Sequence, residues 1–278
     1  MRQPKKIAVI VLTYNWEKAL ELVLNALNKQ TDQLFEIIVA DDGSTEKTKA
    51  CVLKWQIQSN IPIHHIWQPD DGFRAAAARN AASIATKADY IVYLDGDCIP
   101  AKNFVAKHRI LAQPGYFVTG NRILLSKNFT TQLLQSSDTF PVKMSQWLTC
   151  YFQKKINRIL PIIPLPIPSF LRLLHPKSLR SAKSCNLGIW KKDLLAVNGW
   201  NERFKGWGYE DSDLLIRLIR HGVYRKSGRF ATTVMHCWHP ENDQSRKAYN
   251  HSLLMEQALE TTAYISHGLK ENWFNHQR

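Results

Sequence analysis

What most limits the folds open to this chain is a beat. Short apolar runs of strand-forming residues, each ending in a polar cluster, alternate with stretches whose apolar residues recur at helical spacing. Residues 7–12 form a first strand, and Leu20, Val23, Leu24 and Leu27 follow at i, i+3, i+4 and i+7, the stripe a helix lays on a sheet. Phe35 to Ala40 is strand again; Asp41-Asp42-Gly43-Ser44 then turns the chain, with Ser44 placed to cap a helix carrying Cys51, Val52 and Trp55. Ile63 to Trp67 is a third strand, Asp70-Asp71-Gly72 a turn, and Phe73 to Thr86 a helix whose alanines permit close packing on the sheet. Residues 90–94 return as a fourth strand. Such alternation implies right-handed crossovers and an α/β fold with a largely parallel central sheet flanked by helices.

The consequence is geometric. Thr13-Tyr14-Asn15, Asp41-Asp42, Asp70-Asp71 and Asp95-Gly96-Asp97 all leave carboxyl ends of strands, so all open on the sheet edge where α/β proteins gather ligands. Asp95 and Asp97, two hard oxygen ligands flanking a glycine, can hold one Mg2+ or Mn2+ and leave room for substrate phosphates. Asp-Gly is also common turn chemistry, so the pair alone does not decide the matter. No G-x-G-x-x-G follows the first strand and no P-loop occurs, which removes the usual fingerprints of dinucleotide and P-loop sites. Asp41 or Asp42 can accept the N3 proton of a uracil, and Arg74 and Arg79 on the following helix can reach phosphate.

At 278 residues and 45% hydrophobic composition, the chain is long enough for a full core in one domain. Its formal charge of +14 points to an anionic partner without choosing among nucleic acid, membrane and phosphorylated substrate. Much of that charge collects between Thr139 and Cys185, which holds Lys143, Lys154, Lys155, Arg158, Arg172, Lys177, Arg180 and Lys183 and no acid. Interleaved with Trp147, Tyr151, Phe152 and Phe170 and broken by Pro161, Pro164, Pro166 and Pro168, it reads as a basic insert suited to an anionic membrane face or acceptor. Its apolar part, Ile159 to Leu174, is too short and too Pro-rich to span a membrane. The five cysteines are widely spaced with no C-x-x-C pair, so neither a disulfide framework nor a zinc knuckle is indicated, and a reducing compartment is favoured. Thr13-Tyr14-Asn15 cuts the first apolar run too short for a secretory signal.

A second chemical stretch runs from Gly206 to Gly222. Leu214, Leu215, Leu218 and Ile219 make a helical stripe, Gly222 suits the stop, and Asp211 or Ser212 suits the N-cap. Acids at a helix start can simply complement its dipole. Yet Gly206-Trp207-Gly208 offers an aromatic platform of the kind sugars stack on, and Asp211 beside it can take a proton from an acceptor hydroxyl. After a strand-like run from Phe230 to Val234, His236 or His239 can complete a metal site with Asp97. Ser245 to about Leu269 is expected to be helical, with Leu253 and Leu254 inward.

Taken in order, Val11-Leu12-Thr13-Tyr14-Asn15, Val39 to Ser44, the Gly72-Phe73-Arg74 to Ala78-Arg79-Asn80 helix and Leu94-Asp95-Gly96-Asp97 resemble the signature of family 2 glycosyltransferases with the GT-A fold. Asn198-Gly199-Trp200 through Gly206-Trp207-Gly208-Tyr209-Glu210-Asp211-Ser212-Asp213 is similar to the carboxyl-terminal region of β-1,4-galactosyltransferases and bacterial chondroitin-type polymerases. The resemblance implies inverting transfer from a nucleotide-sugar, most often a UDP-sugar, with Mn2+ or Mg2+. It implies that Thr13 lies along the nucleotide with Tyr14 and Asn15 beside it, that Asp41 or Asp42 holds the uracil, and that Arg79 orients the diphosphate. It further implies that Asp95 contacts ribose or donor sugar, Asp97 binds metal with His236 or His239, Glu210 holds acceptor or donor sugar, Trp207 stacks the acceptor, and Asp211 is the base.

The expectation is therefore a GT-A glycosyltransferase adding a sugar to a glycan or lipid-linked glycan of a bacterial surface, such as lipopolysaccharide core, O-antigen or capsule. Residues 1–120 would bind the nucleotide-sugar, 121–182 form the basic insert, 183–245 bind acceptor, and 246–278 form a helical tail. A cytoplasmic protein peripheral to the inner face of the plasma membrane is expected. A metal-dependent nucleotidyltransferase or phosphohydrolase would also use Asp95 and Asp97, and yields different products. A nucleic-acid-binding protein would share the charge, but here the basic residues gather in a Pro-broken insert rather than on one regular face, so nucleic acid is not an expected partner.

Overall fold

A computed structural model describes residues 3–136, 140–141, 143–163, 165–179 and 182–269. Pro164 and Arg180 of the basic insert, its bound Thr139, and the tail beyond 269 lie outside the described residues. The elements run β1 (Ile7–Thr13), α1 (Glu17–Asn28), β2 (Phe35–Asp41), α2 (Glu46–Gln58), β3 (Ile63–Trp67), α3 (Ala75–Ala85), β4 (Tyr90–Asp95), β5 (Cys98–Pro100), α4 (Phe104–Leu111), β6 (Tyr116–Thr119) and β7 (Asn121–Leu124). They continue with α5 (Lys127–Gln135), α6 (Met144–Phe152), β8 (Asn186–Trp190), α7 (Lys191–Ala196), α8 (Glu210–Arg220), β9 (Tyr224–Ser227), β10 (Thr233–His236) and α9 (Lys247–Leu259).

Among the described residues, seven strands form the main sheet in the order β3-β2-β1-β4-β8-β6-β9. The first four are mutually parallel, as strand-helix alternation requires, and β8 enters antiparallel beside β4. Period-two alternation divides β1 between two cores. Ile7, Val9 and Val11 pack with Leu20, Val23, Leu24 and Leu27 of α1 and with Val52 and Trp55 of α2. Ala8 and Ile10 belong with Ala76, Ala78 and Ala82 of α3 and with Leu214, Leu215 and Leu218 of α8. The α3 alanines keep that helix close to the sheet, which is why a long side chain at Arg79 ends up underneath the cleft rather than in solvent.

A small second sheet, β5-β10-β7, does the work that positions the site. β10 pairs antiparallel with β5, setting His236 opposite Cys98, and parallel with β7, setting His236 opposite Leu124. The Cys237 N–H donates to the Asp97 carbonyl at 2.9 Å. Residues more than a hundred positions apart are thereby clamped at one strand end. α8 is fixed by a buried pair: Arg217 Nη2 donates to Asp213 Oδ2 at 2.7 Å, both side chains fully buried, and the guanidinium also donates to the carbonyls of Val197 and Gly199. Removing one partner from such a pair leaves an uncompensated buried charge, so the helix start is held where this pair puts it.

Several local expectations shift. α2 is capped at Thr45, not Ser44, because the Ser44 hydroxyl accepts the Asn15 N–H at 2.9 Å and is already committed. α3 begins at Ala75, since the Arg74 N–H is taken by Asp42. α8 begins at Glu210 with Tyr209 in the left-handed region (φ 73°) as its cap, so Asp211 and Ser212 lie inside the helix rather than capping it. Strand β10 spans Thr233–His236 rather than starting at Phe230, whose φ of 62° breaks extended backbone. The tail helix stops at Leu259, with Leu253 and Leu254 inward as expected. Arg172 of the insert is not a solvated charge: it is buried and donates to the carbonyls of Ser227 and Arg229. No helix among the described residues is long and apolar enough to cross a membrane.

Candidate active site

The four polar clusters do meet on one edge. Thr13 pairs in register with Asp41, and Leu12 with Asp95. Gly96 is required for contact rather than for an unusual φ: its N–H donates to the Leu12 carbonyl at 2.7 Å, and a Cβ there would stand 2.9 Å from that oxygen and 3.2 Å from the Thr13 side chain. Any larger residue between Asp95 and Asp97 would push the carboxylates off β1. The next turns lock together in the same way, since the Tyr14 hydroxyl donates to Asp70 Oδ2 at 2.9 Å and the Thr45 N–H to Asn15 Oδ1 at 2.9 Å. Gly43, at φ 93°, lies so close to Asp70 that a Cβ would meet its backbone at 2.5 Å.

Asp41 and Asp42 are both nearly inaccessible, and both have each oxygen engaged. Asp41 accepts the Ser44 N–H at 2.8 Å and meets His65 Nε2 at 2.9 Å; Asp42 accepts Gln68 Nε2 at 2.6 Å and the Arg74 N–H at 2.7 Å. Burial raises the Asp42 carboxyl above its ordinary range, with the Arg74 N–H and Gln68 working against it. Either carboxylate has lone pairs left for a base, and the geometry does not separate them.

Asp95 and Asp97, adjacent in the motif, face different partners. Asp95 Oδ1 accepts from Arg79 Nη2 at 3.1 Å. Arg79 is 2% exposed; it also donates to the Ser184 hydroxyl at 3.0 Å, lies 3.5 Å from Glu210 Oε1, and sits 4.7 Å above the centre of the Trp200 ring. Far from a solvated helix residue, Arg79 is the hub that joins the β4 carboxylate to the α8 carboxylates. Burial raises the Asp95 carboxyl, Arg79 pulls it down, and Asp97 adds to the rise.

Asp97 points the other way, with Oδ2 3.5 Å from His236 Nε2 and 3.4 Å from His239 Nε2. Both imidazoles converge on the same carboxylate oxygen. Asp97 Oδ1 is buried and receives no hydrogen bond. An orphaned carboxylate oxygen beside two imidazole nitrogens is a donor set that fits a divalent cation. Burial holds the His236 imidazole below its ordinary value, Asp97 opposing, which favours the neutral form able to coordinate. Cys98 Sγ falls within ligand reach of Asp97 and His236, and also of Asp95 and Cys185. Widely spaced cysteines gave no hint of this, because Cys185, just before β8, reaches Cys98 only where β8 lies antiparallel beside β4.

On the α8 side, Glu210 and Asp211 are both buried. Burial and the neighbouring Asp211 charge push Glu210 up to about 7, against the pull of Arg79. Asp211 Oδ2 lies 3.8 Å from Lys183 Nζ, a residue the sequence counted only among the basic residues between Thr139 and Cys185. No local pattern marks Lys183 or Ser184 as site residues, and Trp200 falls in the Asn198 to Asp213 stretch without a role of its own. Trp207 is partly exposed between Gly206 and Gly208, both at positive φ, with Lys247 Nζ 5.6 Å from its ring centre, so one face of the platform is covered.

A stability consequence follows from Glu210. Its folded pKa of about 7 stands above the ordinary 4.5, so the folded state binds the proton more tightly than the unfolded chain. Stability is therefore lost as pH rises from about 4.5 to about 7 and stays reduced above that, by on the order of 1–3 kcal/mol. Glu210→Gln mimics the protonated form and leaves Arg79 paired with Asp95. At pH 8 its melting temperature should exceed that of the wild type by several degrees, and the gap should close near pH 4.5. A gap that does not change with pH would refute the account.

Comparisons with known proteins match most of the chain. The family model described as glycosyl transferase family 2 matches residues 8–175, and one described as the N-terminal domain of galactosyltransferase matches residues 171–239. The chain is 27% identical over 229 residues to a validoxylamine A glucosyltransferase of Streptomyces hygroscopicus subsp. jinggangensis, covering 78% of this chain and 52% of the relative. It is 27% identical over 230 residues to the hyaluronan synthase of Pasteurella multocida, covering 80% and 23%, and 27% identical over 235 residues to the chondroitin synthase of Escherichia coli, covering 80% and 33%. The chain thus spans about half or less of the length of these relatives. Among solved structures, a mannosyltransferase from Pyrobaculum calidifontis in complex with GDP-Man and Mn2+ superposes with a TM-score of 0.62 at 17% identity, covering 93% of this chain and 65% of that one. TarS 1–349 of Staphylococcus aureus in complex with UDP gives 0.60 at 16% identity, covering 92% and 66%.

Proposed function

Because this chain belongs to glycosyl transferase family 2 and has the GT-A fold, we propose that it is a metal-dependent, inverting glycosyltransferase. It moves a sugar from a nucleotide-sugar, a UDP-sugar by preference, to a glycan or lipid-linked glycan acceptor. The observation that carries the reading is the single electrostatic network from His236, His239 and Asp97 through Asp95 and Arg79 to Glu210 and Asp211. Its four carboxylates outnumber the one buried guanidinium, and such an excess suits a site that takes up a cation together with a diphosphate.

Thr13, Tyr14 and Asn15 border the nucleotide, and Asp41 or Asp42 accepts from its base. Asp97, His236 and His239 would hold the ion, the imidazoles favouring Mn2+ over Mg2+. When bound, such an ion supplies positive charge to the departing diphosphate. Asp95, oriented by Arg79, contacts ribose or donor sugar, and Arg79 reaches the diphosphate side only through that carboxylate. Glu210 and Trp207 hold the sugars.

Asp211 is assigned the base. Glu210 lies 3.5 Å from Arg79, whereas the contacts of Asp211 are looser, the Ser212 hydroxyl donating to Oδ1 at 3.3 Å and the half-exposed Lys183 amine standing 3.8 Å from Oδ2, which leaves lone pairs for an acceptor proton. Loss of that proton to Asp211 as the hydroxyl attacks the anomeric carbon, opposite the leaving diphosphate, gives one displacement with inversion. Residues 1–120 then serve the donor and 183–245 the acceptor, with the basic insert of 121–182 between them. A cytoplasmic place beside an anionic membrane, in synthesis of a surface glycan such as lipopolysaccharide core, O-antigen or capsule, fits the insert's composition.

The test is a donor screen. Purified protein with Mn2+ and each candidate nucleotide-sugar should release nucleoside diphosphate slowly without acceptor and faster with one. Release of free pyrophosphate or inorganic phosphate instead would point to nucleotidyl transfer or phosphohydrolysis, and no metal-dependent turnover of any donor would remove the proposal.

A further inference from the structure

A groove of about 520 Å3 opens beside the candidate metal residues. Its floor is Leu125 and Ile156, both buried and joined by an isolated antiparallel bridge, and Leu124, Tyr151 and Phe152 wall it. Lys154 lies at its edge, in left-handed backbone with φ 54°. The groove adjoins the candidate active site through the backbone. Leu124 stands opposite His236 in register, and the Leu125 N–H donates to the His236 carbonyl at 3.0 Å.

The lining has two chemistries. α6 turns Trp147 and Cys150 inward but leaves Phe152 78% exposed at its last turn, a large apolar side chain presented to solvent by an ordered helix. Immediately after come Lys154, Lys155 and Arg158, in a stretch from Thr139 to Cys185 without a single acid. Arg158 is anchored by the Arg122 carbonyl, so its charge stays near the β7 end of the groove. A largely apolar trough with Lys154 in its lining and Arg158 held near one end fits an amphiphile with an anionic head, and a trough that starts at the strand carrying His236 fits one that delivers a hydroxyl to the site.

We propose that this groove binds the hydrocarbon chain of an anionic, lipid-linked acceptor, with Lys154 meeting its phosphate. The proposal rests on the glycosyltransferase reading for the word acceptor, but the binding itself does not. The probe is dodecyl phosphate, titrated calorimetrically below its micelle concentration into the full chain. It should bind the wild type, and Phe152→Asp should weaken it about tenfold or more. Lys154→Asn, which tolerates left-handed backbone, should weaken it several-fold and flatten its salt dependence. Both variants should keep the wild-type rate of donor hydrolysis without acceptor.

Equal affinity in wild type and Phe152→Asp would overturn the proposal. So would full competition by inorganic phosphate, which would mean an anion site only. Binding to phosphatidylglycerol vesicles with none to monomeric dodecyl phosphate would also overturn it, since that is adsorption to a surface. Should Phe152→Asp fail to fold, Tyr151→Ser removes the neighbouring wall and carries the same expectation. Absence of donor hydrolysis in the wild type would strike the enzymatic reading alone and leave the titration interpretable.

Discussion

Asp211→Asn should retain donor and Mn2+ binding and lose turnover by about 10^2–10^4-fold, the range a positioned general base supplies. The side chain is isosteric and sits inside the first turn of α8, which is held independently by the buried Asp213–Arg217 pair, so the helix start should not move. Two further effects follow from the geometry. Lys183 loses its ionic partner at 3.8 Å, and Glu210 loses a neighbouring charge that raises it, so Glu210 should titrate lower in the variant. Nucleotide-sugar binding by calorimetry and turnover by nucleoside diphosphate release separate the two roles. If donor affinity falls as far as turnover, Asp211 belongs to the donor site and is not the base.

Asp97→Ala should have the opposite signature. Asp97 carries the buried oxygen that receives no hydrogen bond and the oxygen shared by His236 and His239, and it is the carboxylate in that cluster not committed to Arg79. Without it two imidazoles are left to hold the ion, so metal-dependent donor affinity should vanish. Turnover should drop by about 10^3-fold or more, the loss expected when several kcal/mol of charge stabilisation at a leaving group is withdrawn. Mn2+ titration followed by paramagnetic resonance reads the binding directly, without activity. A variant that still binds Mn2+ with wild-type affinity would show that the ion lies elsewhere. The two variants make a pair: loss of binding in one and loss of chemistry alone in the other is the pattern the roles demand.

Much of the donor half could be read from residues in order. β1, β2, β3 and β4 fall where the apolar runs stand, and the four polar clusters after them reach one edge because parallel strands joined by right-handed crossovers leave them no other place. Two expectations that failed concern helix starts. Ser44 was expected to cap a helix, and Asn15, distant in sequence, claims its hydroxyl instead. Asp211 or Ser212 was expected to cap α8, but Tyr209 in left-handed backbone starts the helix earlier.

The site residues themselves divide along the same line. That Asp95 and Asp97 stand at a strand end and Glu210 and Asp211 at a helix start was legible, because short motifs with acids at such ends express local geometry. That Asp95 turns to Arg79 while Asp97 turns to two histidines was not, nor was the approach of Lys183 to Asp211 or the exposed apolar trough beside His236.

The chain's own pattern thus determined the α/β beat, the sheet edge where the polar clusters gather and the residue types at it, since side-chain period and turn chemistry act over a few positions. Only the tertiary structure decided which charges face which. Those pairings are made by β8 entering antiparallel beside β4 and by β10 clamped between β5 and β7, contacts between segments whose separation along the chain leaves no periodic trace.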